Sequence, residues 1–253
     1  MSATKRSWLD RMMQATQPKV VSSYNPAPQQ LAEGLWVIER RLTMPGGPQL
    51  PARMTVVCLQ SGGLFLHSPT KLDADLQQWL GDRGRVEAIV APNSFHFLFA
   101  SAYLEAFPSA QFFVAPGLPA RVPTLPPATE LGNVAPTLWA AEMEQAVFGP
   151  VRGLAEVIFF HRPTKTLLLT DLAFNMTADD SLFNRLCWRV LGVPARFGPS
   201  RSARMTLLRD KAAARTYLQP VLAWPFQRIL VTHGLTVEND AQAEFRRAYA
   251  TYL

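Results

Sequence analysis

The stretch that most constrains this chain is Val86 to Phe99, VEAIVAPNSFHFLF. Its β-branched apolar run stops at Ala91-Pro92-Asn93, because Pro92 has no N–H to give a ladder and disfavours helical backbone at Ala91. Asn93 or Ser94 can then cap an amphipathic segment whose apolar positions are Phe95, Leu98, Phe99, Ala102, Tyr103 and Ala106. That reading puts His96 in the first turn of a helix. A strand that hands over to a helix in this way leaves its last residues at the carboxyl edge of a sheet, where α/β folds carry their sites. Two later runs end alike: Asp171 closes the strand of LLLTDLAF, and His233 closes that of RILVTHG. Any one of the three, taken alone, reads better as a packed, capping or turn residue. Three strand ends bearing three metal-ligating side chains form a pattern.

Composition narrows the classes. With 48% hydrophobic residues among 253, the chain can build a sizeable core, and disorder as a whole is excluded. Charged residues are only 17%, so the net charge of +6 reflects scarce acids rather than a basic tract. That argues against a nucleic-acid arm and leaves a small anionic ligand open. Cys58 and Cys187 are far apart and neither belongs to a Cys-x-x-Cys pair, so no disulfide framework or thiolate zinc cluster is expected. A reducing cytoplasm is the expected setting. No run reaches the ~18 apolar residues of a membrane span, and the N-terminus lacks the apolar core of a signal peptide. Oligomeric state is not legible.

In chain order, residues 1–30 read as an N-terminal arm and 31–253 as the folded domain. Trp8, Leu9, Met12 and Met13 would share one face of a short helix in the arm, ahead of the extended connector YNPAPQQ. LWVIERRL, ARMTVVCLQ and LFLHS, separated by Gly/Pro turns, make an antiparallel meander. A helix carrying Leu72, Leu76, Trp79 and Leu80, capped by Thr70 or Asp73, leads to the strand Val86 to Ala91 as a β-α-β unit. His67 and His96 then share one sheet edge. QFFVAPG is a further strand, whereas TLWAAEMEQAVF fits a strand or a short helix. EVIFFH and TLLLTDLAF form a hairpin, with His161 beside its turn reading as a surface residue. Residues 182–215 hold eight Arg or Lys against one acid, Asp210. They are a solvated face, or a lid in which Arg196, Arg201 and Arg204, with Phe197 beneath, hold an anion. RMTLLRDKAAARTYLQPVLAW reads as helix broken at Pro220, and Phe245, Ala248, Tyr249 and Tyr252 stripe the last helix.

The order of these features, with the phrases HSP, APN-x-x-H, TDLAFN and THG, resembles the metallo-β-lactamase superfamily over residues 31–253. Within it the chain looks most like a branch catalogued as a domain of unknown function. The resemblance implies an α/β (α+β) fold, a four-layer αββα sandwich with its site along one edge. The superfamily's first loop is His-x-His-x-Asp-His; with its last His on His96, Ala91, Asn93 and Phe95 replace the other three. Asp171 matches the bridging carboxylate and His233 the final His, but Gly149 to Glu156 holds no histidine. One of two metal positions is thus dismantled. The other keeps His96, Asp171 and His233, with an Asn93 amide oxygen or His67 as candidate substitutes. Three such ligands plus water are the stoichiometry of a catalytic zinc site, which allows a single-metal hydrolase with one zinc or iron ion, Asp171 in the catalytic role and a small anionic substrate held by the arginines. The alternatives are a non-catalytic ligand- or metal-binding protein with a degenerate site, holding a metal or none, and, remotely, a nucleic-acid-binding module. β-Lactamase activity is not expected.

Overall fold

The computed structural model describes residues 19–21, 24–151, 153–176 and 181–253. The apolar face expected at Trp8, Leu9, Met12 and Met13 lies outside the described residues. The first sheet contains β1 (Lys19–Val20), β2 (Gln29–Ala32), β3 (Leu35–Thr43), β4 (Gln49–Cys58), β5 (Leu64–His67), β6 (Val86–Ala91), β7 (Gln111–Val114) and β8 (Thr129–Glu130). Their order is β1-β3-β4-β5-β6-β7-β8, with β2 also pairing β3. β3, β4 and β5 form the antiparallel meander. From β5 onward the strands run parallel, because α1 (Ala74–Gly81) and α2 (Ala100–Ala106) supply the crossovers. Asp73 starts α1 by accepting from the Leu76 N–H at 2.9 Å, and Leu76 and Leu80 face inward. A short α3 (Leu118–Arg121) follows β7.

The second sheet is β9 (Met143–Val151), β10 (Leu154–His161), β11 (Thr166–Leu169) and β12 (Arg228–Val231), ordered β12-β11-β10-β9. TLWAAEMEQAVF therefore divides into turns through Trp139 and a strand from Met143. The β10–β11 pair is the expected hairpin, and β12 lies parallel to β11. Between them in sequence come α4 (Leu182–Leu191), α5 (Arg201–Met205) and α6 (Lys211–Ala223); α7 (Ala241–Tyr249) closes the chain.

Side-chain alternation stacks these parts into four layers. Val57, Phe65 and Val90 of the first sheet meet Val157, Phe159 and Leu168 of the second. The outer face of the first sheet packs on Leu76, Leu80 and Tyr103 of its helices. On the second sheet Ile158 and Phe160 point the other way, toward Leu218, Phe245 and Tyr249. The strand EVIFFH serves two cores because period-2 alternation sends its neighbours to opposite faces. The result is a mixed α/β fold of αββα layering. Among the described residues no helix is long and apolar enough to cross a membrane.

Two local expectations are corrected. The long basic helix breaks at 206–210, not at Pro220: Asp210 begins α6 by accepting from the N–H groups of Ala212 and Ala213. Pro220 sits in the final turn, where a missing N–H forfeits one bond and the helix needs only to reach Ala223. His161 is not a surface residue but 2% exposed, its Nδ1 2.7 Å from Thr164 Oγ1 inside the β10–β11 turn.

Candidate metal centre and its cavity

Three chain ends converge on one edge of the sandwich. Asp171 and His233 follow the parallel neighbours β11 and β12, so the sheet itself brings them side by side. The loops beyond them are bridged: the Asn175 N–H donates to the His233 carbonyl at 3.1 Å, and the Leu235 N–H to the Asn175 carbonyl at 2.7 Å. Gly234 permits this approach, with φ +117° and a position where a Cβ would stand 2.0 Å from the Asn175 oxygen. TDLAFN and THG are thus joined by a backbone bridge. His96 lies in turns ahead of α2, not in its first turn, since the helix begins only at Ala100. Asn93 sets that turn: its Oδ1 accepts from the N–H groups of Phe95 (2.8 Å) and His96 (2.9 Å).

The three side chains meet. His96 Nε2 and His233 Nε2 are 3.3 Å apart, and they lie 3.5 and 3.3 Å from Asp171 Oδ2 and Oδ1. Each ring is held from behind. His233 Nδ1–H donates to the Pro51 carbonyl at 2.6 Å, since a carbonyl can only accept, and this turns Nε2 toward Asp171. His96 Nδ1 is 2.5 Å from Ser68 Oγ, on a residue held at φ +58° just after β5. Two imidazole nitrogens and a carboxylate facing one another at this distance form a group that could hold a metal ion. A tetrahedral ion with bonds of ~2.0–2.1 Å would space its donors about 3.3 Å apart, so the arrangement fits zinc-like coordination. Burial alone would raise the Asp171 carboxyl, but His96 and then His233 outweigh it and hold the group well below the usual carboxylate range.

Asp171 is pinned by groups that sequence reasoning missed. Glu156 on β10 is wholly buried; its Oε1 accepts from Thr170 N–H at 2.8 Å and its Oε2 from Leu172 N–H at 2.9 Å, gripping the backbone on both sides of Asp171. Burial, with the Asp171 charge adding to it, pushes the Glu156 carboxyl up to about 7. The available signal was a single acid within the apolar run AEVIFF. The Tyr249 hydroxyl donates to the Leu172 carbonyl at 2.7 Å from the far side. Arg53 ties the sheets together near His233, donating to the Val231 carbonyl at 2.9 Å while paired with Glu39 at 2.6 Å.

Other expected site residues are placed differently. Asn93 cannot offer its amide oxygen to a metal, because two backbone N–H groups already occupy it; its Nδ2 instead donates to Asp171 Oδ2 (2.7 Å) and Thr170 Oγ1 (2.9 Å). His67 does not join the group of His96, Asp171 and His233. Its ring is 1% exposed, edge-on to Phe159 at 5.5 Å between the sheets, with neither nitrogen partnered. Burial, and secondarily His96, lowers its pKa to about 3. The arginine lid is not formed over this edge either. Arg196 pairs with Glu244 at 2.9 Å, Arg201 donates to the Val190 carbonyl and Arg204 to the Pro199 carbonyl, both at 3.3 Å. α5 turns Ser202, Ala203 and Thr206 toward the metal centre, leaving Arg201 and Arg204 on its other side. Arg196 and Arg204 line a separate recess with Arg247, while Phe197 is buried beside Phe245.

The triad opens into a cavity of about 550 Å³. Its walls include Leu42, Leu50, Ala52, Phe99, Phe174 and Trp188, and no Lys or Arg is among the described residues that line it. Phe174 stacks on His233 at 5.2 Å, so the apolar wall reaches the donors themselves.

The layering is that of metallo-β-lactamase-fold proteins. The chain is similar to the DIM-1 metallo-β-lactamase in a structure exposed to ceftazidime, at 13% identity over 91% of this chain and 100% of that one, with a TM-score of 0.62. It is similar to a putative diflavin flavoprotein fragment from Nostoc sp. PCC 7120, at 12% identity over 94% and 96% and a TM-score of 0.62. It also resembles FIM-1 from Pseudomonas aeruginosa in its mono-zinc form, at 14% identity over 90% and 96% and a TM-score of 0.59. At these identities the likeness establishes the fold. No curated protein matches the sequence. The chain belongs to DUF4336, a domain of unknown function whose family model matches residues 33–186. That match takes in His96, Asp171 and Glu156 and ends before His233.

Proposed function

We propose that this protein binds one zinc or iron ion through His96 Nε2, His233 Nε2 and the Asp171 carboxylate, and that the centre hydrolyses a small molecule bound in the adjoining cavity. The observation that carries the reading is the donor spacing of 3.3 to 3.5 Å, with both rings oriented from behind by Pro51 and Ser68. Such an ion, when bound, polarises a carbonyl and lowers the pKa of water. The protein's part is positional. Two neutral imidazoles and one carboxylate leave a divalent site net positive, and Asn93 Nδ2–H orients Asp171. Asp171 is the carboxylate at the open end of the triad and would take a proton from a water held there, which is its proposed catalytic role. Ala91, Asn93 and Phe95 offer no donors for a second ion, and the mono-zinc form of FIM-1 is a fold relative with such stoichiometry.

A second reading, binding without turnover, draws on the same Asn93 contact, because an N–H on Asp171 Oδ2 takes up an oxygen that the chemistry would use. Metal analysis of the purified chain, followed by ester and amide hydrolysis assays with and without chelator, separates them. One bound metal with chelator-sensitive turnover supports the hydrolase; one metal without turnover supports the binding protein.

A further inference from the structure

We infer that the cavity selects an uncharged, largely apolar molecule, an ester or amide with an aliphatic or aromatic body, presented carbonyl-first to the triad. This rests on the reading of the triad as the reactive centre. The cavity offers an anion no Lys or Arg: among the described residues the ionisable groups lining it are His96, His233, Asp171 and Glu156, and the arginines of 196–204 are matched to Glu244 or to carbonyls elsewhere. An anion here would find no Lys or Arg, and the Asp171 carboxylate already offsets part of the charge that a metal would bring.

The walls define the complementary body. Leu42, Leu50 and Ala52 come from β3 and β4, Phe99 from the turn before α2, Phe174 from the Asp171 loop and Trp188 from α4. Apolar surface from both halves of the sandwich therefore surrounds a single polar end. The volume of about 550 Å³ is that of a site for a drug-sized ligand, far more than an acetyl group needs. Hydrolysis of such a molecule balances simply. Water adds to the carbonyl carbon, the acyl–oxygen or acyl–nitrogen bond breaks, and the proton from water passes to the departing alcohol or amine. The acid product would be negatively charged in an apolar cavity beside Asp171, which favours its release.

The test uses the full chain and N-alkanoyl methylamides of increasing length, from N-methylacetamide to N-methyldecanamide, with binding measured by calorimetry on zinc-loaded and on chelator-treated protein. Affinity should tighten about two- to fourfold per added methylene until the cavity is filled. Inorganic phosphate should show no competition with the longest amide. Ala52→Phe, which fills the cavity from β4, should weaken that amide at least tenfold, and Ala203→Leu gives the same readout from α5 should the first variant not fold. A flat series, or phosphate displacing the amide, overturns the inference. The length dependence should survive chelation, whereas turnover should not. Turnover that persists after chelation with the series intact therefore counts against the metal assignment alone, and chelator-sensitive turnover with a flat series counts against the apolar ligand alone.

Discussion

The chain has four histidines, and they divide into two pairs that differ in what stands behind the ring. His96 and His233, at the cavity edge, each have Nδ1 engaged by an outer group and Nε2 aimed at a carboxylate. His67 and His161, in the interior, are desolvated instead: His67 has no partner at either nitrogen, and His161 has a threonine hydroxyl on Nδ1. Burial lowers them to about 3 and about 4, so both stay neutral. A position at or just beyond a strand end is common to all four. His161 also has Glu142 Oε2 3.8 Å from Nε2, so what separates the pairs is convergence: only His96 and His233 aim their inner nitrogens at one carboxylate and at each other.

The largest expected effect breaks one pair and spares the other. His96→Ala or His233→Ala should abolish metal retention through gel filtration, whereas His67→Phe, which replaces an unpartnered ring by an apolar one beside Phe159, should keep the full metal content. Metal lost equally in all three variants would erase the distinction. Next is Gly234→Ala: a Cβ 2.0 Å from the Asn175 oxygen and a φ of +117° should cost about 3 kcal/mol in urea unfolding and shift His233 out of register with Asp171. Stability within experimental error of the wild type would contradict the bridge between the two motifs.

Ser68→Ala sharpens the comparison, because it makes His96 resemble His67 by removing its outer partner. Metal affinity should fall about tenfold, to at most a hundredfold, with stoichiometry unchanged; competition with a chromophoric chelator reads it. The smallest effect concerns the interior pair. His161 is neutral when folded and has a pKa of about 4 there, against about 6.5 unfolded, so its contribution is full above pH 6.5 and is lost as pH falls toward 4. The slope is at most about 1.4 kcal/mol per pH unit across that window. His161→Gln should make the fall in unfolding free energy shallower there and leave pH 7 to 8 little changed.

The layering was legible because alternation is local. VEAIVA, EVIFFH and RILV declare buried strands, and Pro92, Gly234 and the 162–165 turn declare where they stop. Convergence of His96, Asp171 and His233 was legible from chain order. The outer contacts were not. Pro51 meets His233 across 182 residues of sequence, and Glu156 grips the Asp171 loop through backbone N–H groups that carry no residue-type signature. The arginine stretch misled for a related reason: proximity in sequence to both ligand strands placed its loop at the cavity rim, but the face of a five-residue helix decided which side chains entered.

The most direct test is a zinc titration of metal-free wild-type protein, with the bound ion examined by X-ray absorption. The account predicts saturation at one equivalent per chain, with two imidazole nitrogens and oxygen in the remaining positions. Two equivalents, no tight binding, or a coordination shell with a single imidazole would contradict it.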